Sequence, residues 1–353
     1  MKIKIVCQLQ SRGYSGGRYY AVMLAAGLSR DHEIHFYTNS PTNQIYNECF
    51  KFANAKFMNY NNIDTSHKYD FSIIFPGGEK NFVLHDNMLK IAKLNSNKTL
   101  LFSFETENWW NEFNIEKKDS NIWLPWKKIS QDVDGIICVS KECVEWAREY
   151  YEKDHNFPMF GIEGPINTVI CDTVEAKKVN QVCFFTRIGV NSSHKGFKYL
   201  NYLNRESLSG FKIKVIFGGS KPNSSIEKRF VQFFEKNNIN LKFYNNLIEQ
   251  EKFKIVKESK ILFYPETFTG FGLPPLESLY CETRPLCFDI PVIRKNDVGL
   301  FKYMYEESIG DDIDQIANNH SFTDAEKPKL SKFKDDINLY TYCGKLSQKI
   351  RSL

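Results

Sequence analysis

Short apolar runs alternate with amphipathic stretches along the whole chain, and the series occurs twice. The first set of runs covers 3–9, 33–37, 71–75, 99–104 and 135–139; the second covers 181–186, 212–217, 241–244, 261–264 and 285–288. Strands separated by helical patterns pair through crossovers, so each set is expected to form a mostly parallel sheet with helices on both faces. The fold class is α/β, with two doubly wound parallel-sheet domains. A chain of 353 residues is long enough for two cores. The join is expected in the Gly/Pro-bearing segment GIEGPIN, 161–167. That places an N-terminal domain at 1–165, a second at 166–325, and a C-terminal helical segment at 326–353 that crosses back to the first domain. Within it, 335–353 reads as a last amphipathic helix.

Hydrophobic content of 42% with 25% charged residues is globular composition. The most apolar stretch, 19–28, is far shorter than the ~20 residues of a membrane helix. The first strand begins almost at once, so no secretory signal is expected. Nine cysteines without a CxxC spacing, among them Cys7, Cys138, Cys183 and Cys287 in strand-like runs, read as reduced core thiols of a cytoplasmic protein. The net charge of +5 is scattered, unlike the concentrated basic face of a nucleic-acid binder. It is compatible with a phosphorylated ligand or weak peripheral attraction to an anionic membrane.

Ligands of open parallel sheets bind outside the carboxyl ends of the strands, so the segments that follow each strand carry the functional argument. After the first strand comes QSRGYSGGRYYAVMLAAGL, in which Gly13, Gly16 and Gly17 lead into a helix. It is not GxGxxG, which argues against a plain dehydrogenase. After the first strand of the second set comes TRIGVNSSHKGFKYL. Arg187 and Lys195 there suit a diphosphate, since Arg grips two oxygens and Lys adds a point charge; the plainer reading is two solvated cations. The next strand ends in VIFGGSKP, a tight turn containing Gly218.

The stretch TFTGFGLPPLES, 267–278, follows an apolar run closed by Pro265. Pro274 and Pro275 suit the first turn of a helix. The amides of Gly270, Phe271 and Gly272 would then form an anion site at its N-terminus. Glu277 lies one turn further in, and its plainer role is to complement the helix dipole. No Cys/His/Asp spacing suggests a metal, and neither metal nor cofactor is expected.

Together these segments resemble the family 4 glycosyltransferases, retaining enzymes of the GT-B architecture, in which two Rossmann-like domains face a central cleft. The resemblance covers nearly the whole chain. It rests on SGGRYYAVMLAAGLSRDHEIHFYTN, DGIICVSK, FTRIGVNSSHKGF, VIFGGS and YPETFTGFGLPPLESLYCETRPL. The last block is the most specific, and in the family it usually reads EGFGLPxLEA.

The resemblance implies a nucleotide-sugar donor whose diphosphate is held by Arg187, Lys195 and the turn amides of Gly270, Phe271, Gly272 and Leu273. It implies that Glu277 accepts hydrogen bonds from the ribose hydroxyls, as a carboxylate suits a vicinal diol. Gly16, Gly17 and Gly218 would let the backbone approach the donor. Two departures stand out. Thr269 replaces the first glutamate of the family pair, with Glu266 three residues earlier able to reach the same space. The histidine that many members carry after the fourth strand is absent from FSFETENWW. There Glu105 is expected to face the cleft, and Trp109 and Trp110 to stack on an acceptor sugar; aromatic pairs more often pack a core or lid.

The implied reaction is sugar transfer to an acceptor hydroxyl with retention, without metal, the leaving phosphate oxygen taking the acceptor proton. Arg187, Lys195 and Glu105 would be the catalytic set. The acceptor would be a glycan or a lipid-linked sugar at the inner face of the cell membrane. Rival readings are a phosphorylase or epimerase on the same fold, and a nucleotide-sugar-binding protein without catalysis.

Overall fold

The computed structural model describes residues 1–9, 16–39, 51, 53–60, 65–77, 80–114, 117–189 and 192–353. Gly13 of the first glycine turn lies outside them. The chain divides into two compact units, Met1–Asn167 with Asn338–Leu353, and Thr168–Ile337.

The first unit holds seven parallel strands: β1 (Lys2–Cys7), β2 (Glu33–Thr38), β3 (Ala55–Asn59), β4 (Tyr69–Phe75), β5 (Ser96–Ser103), β6 (Gly135–Cys138) and β7 (Met159–Gly161). Their order is β3-β2-β1-β4-β5-β6-β7. Central strands such as β1 and β4 are covered on both faces, which is why they read as continuous apolar runs. The sequence reading missed β3 and β7, the two edges. β3 is mostly exposed and β7 has only three residues, so neither carries an apolar run.

One residue of β1 breaks the apolar pattern. Lys4 is 1% exposed, and its ammonium donates to the carbonyls of Ile91, at 2.8 Å, and Leu94. It thereby caps the C-terminal end of the helix Phe82–Lys93, where carbonyls lack intrahelical partners.

The segment 335–353 is not one helix. Asn338 accepts from the Tyr340 amide at 2.9 Å and starts a new helix, Leu339–Arg351. The preceding helix, Lys327–Asp336, belongs to the second unit. The last helix packs on Gly16–Leu28 in the first unit at Gly27, where a Cβ would come within 2.6 Å of Cys343 Sγ.

The second unit holds six parallel strands: β8 (Gln181–Thr186), β9 (Lys212–Phe217), β10 (Asn240–Asn245), β11 (Ile261–Tyr264), β12 (Arg284–Phe288) and β13 (Lys302–Met304). Their order is β10-β9-β8-β11-β12-β13. Val182, Phe184, Val215, Phe263 and Leu286 fill its core. The short edge strand β13 is again one that the sequence reading missed. The chain runs outward from β8 through β9 to β10, then returns to lay β11 on the other side of β8. This reversal opens a crevice between β8 and β11 at their carboxyl ends, and β1 and β4 have the same relationship in the first sheet.

All eight cysteines among the described residues are buried and unbridged. No helix among the described residues is long and apolar enough to cross a membrane.

Candidate functional site

The reversal point of the second sheet gathers most of the residues singled out above. The segment after β8 carries Arg187 and a short 3-10 turn, Ser193–Lys195; the segment after β11 runs from Pro265 to Gly272. Gly196 lets the two touch. Its φ is +71°, and a Cβ there would lie 2.3 Å from the Pro265 carbonyl oxygen. The Thr267 amide donates to the His194 carbonyl at 3.0 Å, and the Thr186 hydroxyl to the Lys195 carbonyl at 2.8 Å.

These bonds aim Lys195 at Glu266, and its ammonium donates to the carboxylate at 2.6 Å. Glu266 is therefore not the solvated strand-end residue of its plainer reading, since only 5% of its side chain is exposed. Arg187 donates through Nε to the Gly218 carbonyl at 3.0 Å, and the Gly218 amide donates to Thr186 at 3.0 Å. Arg187, Gly218, Lys195 and Glu266 thus share one crevice mouth.

The glycine-rich turn enters the helix Leu273–Tyr280 as its prolines predict, with Pro274 and Pro275 in the first turn and Gly272 at φ +82°. Of the turn's backbone groups, one amide and one carbonyl are already engaged. The Gly272 amide donates to Thr269 Oγ at 3.1 Å, and the Phe271 carbonyl accepts from Asn296 at 2.6 Å. Thr269 uses its short hydroxyl to close the turn.

Glu277 does not sit in the first turn as a dipole partner. It is 3% exposed, and its Oε1 accepts from Lys252 at 2.8 Å. Lys252 also meets the buried carboxylate of Glu249 at 2.6 Å. Burial raises the pKa of Glu277 and Glu249 adds to the rise, while Lys252 opposes it. The sequence reading missed Glu249 and Lys252. The available signal was their position with Phe253 and Val256 on the buried stripe of the helix Glu249–Glu258, where charges are rare without partners.

In the first unit, Gly17 lies against Phe104: a Cβ would come 3.0 Å from the ring. Gly16 has open space around it. The glycine turn therefore neighbours the segment that carries Glu105, whose carboxylate pairs with Lys118 at 3.2 Å. Lys118 in turn sits 3.1 Å over the Trp110 ring. The expected stacking of Trp109 and Trp110 on a sugar is corrected. They are 1% and 2% exposed, with Trp110 packed 6.4 Å from Trp123, so neither offers a face to a ligand. Among the described residues, no group of His, Cys, Asp or Glu is arranged to hold a metal ion.

No protein-family model matches the chain, and no curated protein matches it either. Solved structures do. HepE of Anabaena, determined with UDP, aligns over 100% of both chains at a TM-score of 0.69 and 10% identity. The pneumococcal O-GlcNAc transferase GtfA, determined with UDP and GlcNAc, aligns over 100% of this chain and 99% of its own, at 0.63 and 11%. WaaG, a glycosyltransferase involved in lipopolysaccharide biosynthesis, aligns over 98% and 99%, at 0.61 and 11%. The two Rossmann-like parallel-sheet units of this chain have the GT-B architecture of these structures.

Proposed function

We propose that the protein is a glycosyltransferase that moves a sugar from a nucleoside-diphosphate sugar to an acceptor hydroxyl, with retention at the anomeric carbon. The observation that carries this reading is the convergence of Arg187, Lys195 and the glycine-rich turn at the reversal point of the second sheet. Fixed cations and a helix N-terminus at such a crevice suit a diphosphate. The GT-B architecture, shared with structures determined with UDP, supports the same donor class.

In this reading Arg187 and Lys195 stabilise charge that develops on the departing diphosphate, the main electrostatic task of such a site. They supply the positive charge, and the transfer is metal-independent. Lys195 is shared between Glu266 and the diphosphate. Lys252 occupies one oxygen of Glu277, and the other accepts from a ribose hydroxyl. Glu105 lies beside the glycine turn of the first unit, and the leaving phosphate oxygen takes the acceptor proton. Turnover abolished by Glu105→Ala with donor binding intact would count against that last step. The acceptor is a surface glycan, lipopolysaccharide or glycolipid, reached from the cytoplasm by peripheral contact with the inner face of the membrane. The mild positive charge supports that contact, and the involvement of WaaG in lipopolysaccharide biosynthesis supports the acceptor class.

A thermal-shift screen against UDP-, GDP-, dTDP- and CMP-sugars tests the donor assignment. A ligand far above its Kd stabilises the native state by a few kcal/mol, which moves the melting temperature by several degrees. The expected result is a rise with one nucleotide class that Lys195→Ala and Glu277→Ala abolish. No response to any nucleotide would overturn the assignment.

A further inference from the structure

A second cationic cavity lies at the opposite end of the second sheet. Lys178 precedes β8, Lys260 directly precedes β11 and Glu282 precedes β12. In a parallel sheet these are all amino ends, whereas Arg187, Lys195 and Glu266 follow carboxyl ends. The cavity measures about 500 Å³, and Lys178, Lys260, Lys327, Lys334, Glu282 and His320 bring the charged and titratable groups to its wall.

Its charges do not balance. Lys334 is neutralised by Glu282 at 2.6 Å, and Lys327 meets the exposed Asp324 at 2.7 Å. Lys260 meets the neutral Asn180 Oδ1, at 2.7 Å. Lys178 turns its ammonium onto three neutral acceptors: the carbonyls of Ser259 at 2.7 Å and Cys281 at 2.9 Å, and Thr283 Oγ at 2.6 Å. Among the described residues, neither Lys178 nor Lys260 has a carboxylate within ion-pair distance.

The nearby Arg284 adds no free charge, because Glu326 holds it at 3.0 and 2.8 Å while Phe322 covers it at 3.7 Å. Burial pulls Lys178 down to about 8, and the longer-range attraction of Glu282 only partly opposes it. Two positive charges without a paired carboxylate in one cavity match a dianion.

We propose that this cavity binds a phosphate monoester, at a site separate from the donor crevice. Lys178 is the fixed charge, oriented by the two helix C-termini at Ser259 and Cys281 that it also caps. Lys260 and Lys327, less confined by burial, close on the phosphate oxygens. The Phe322 ring and Leu330 give the rest of the ligand an apolar wall.

The test uses the full chain carrying Arg187→Ala and Lys195→Ala, which disables the donor crevice. Calorimetric titration with glycerol phosphate should give one saturable site. Adding Lys260→Gln and Lys327→Gln should weaken it at least tenfold without changing the melting temperature, since both side chains are at the surface. Co-sedimentation with phosphatidylcholine vesicles doped with phosphatidic acid separates two sources of the same group. Vesicle binding lost in the Gln variant assigns the phosphate to a lipid headgroup; glycerol phosphate binding without co-sedimentation assigns it to a free metabolite. Absence of both, or binding unchanged by the Gln substitutions, overturns the proposal. Neither result touches the donor assignment, which the thermal-shift screen reads on the unsubstituted crevice.

Discussion

The ammonium of Lys195 lies 2.6 Å from the carboxylate of Glu266, across the point where the second sheet reverses direction. Each side chain comes from a different strand end, so the pair ties β8 to β11 and holds a cation ready at the crevice mouth. Removing Lys195 should cost about 2 kcal/mol, because it strands a buried carboxylate. Lys195→Ala with Glu266→Gln should recover most of that loss in urea denaturation, yet remain unable to bind nucleotide. Recovery of binding along with stability would reduce Lys195 to a structural residue.

Gly196 makes that pair reachable, and its replacement should be severe. Alanine would bring both the left-handed backbone and the 2.3 Å approach to Pro265 into conflict. Gly196→Ala is expected to lose at least about 2 kcal/mol in equilibrium denaturation, and donor binding with it. Gly210, also at positive φ but with nothing within 4 Å of its Cβ position, is the control, with a loss of about 1 kcal/mol.

The Glu249–Lys252–Glu277 group should show itself in the pH dependence of stability. Glu277 holds its proton more tightly when folded, since burial raises its pKa above the ordinary 4.5. Its contribution is therefore fully present below about 4.5 and is lost as pH rises through the raised native value. Denaturation curves across this window should show Glu277→Gln gaining stability relative to the unsubstituted protein as pH rises. Lys252→Met should lose about 3–5 kcal/mol at neutral pH, because two buried carboxylates are left unpaired. A pH-independent difference for Glu277→Gln would mean that the carboxyl is not strained by burial.

Lys4 predicts the opposite trend at alkaline pH. Burial lowers its native pKa from 10.5 to about 8, so the unfolded chain binds the proton more tightly. Stability should rise as pH goes from about 8 to 10.5, by up to about 3 kcal/mol from this residue. Lys4→Met should remove that part of the rise. It should also destabilise the first unit near neutral pH by exposing the helix carbonyls that Lys4 caps to an apolar neighbour.

Interior strands, prolines and glycines were legible in the sequence because each obeys a local rule. Buried strands need apolar runs, a helix accepts proline in its first turn, and a backbone at positive φ needs glycine. The strands β3, β7 and β13 follow no such rule. They are edges with few buried side chains, so their strand character comes from pairing with a neighbouring strand and not from an apolar run. The same limit applied to side chains. Arg187, Lys195 and the 267–278 turn could be selected by composition and strand position, but nothing local distinguishes a tryptophan that stacks on a ligand from one buried against Trp123.

The order of residues by itself thus determined two α/β units, the anion-suited turn between β11 and its helix, and the cations that follow β8. Only the tertiary structure decided that Lys195 meets Glu266, that Glu277 is held by Lys252, and that the returning segment begins at Asn338, with Lys327–Asp336 left in the second unit. Propensity and patterning act within a few residues of the chain. Charge pairing, burial and close helix contact are set by groups that sequence separates and packing brings within a few ångströms.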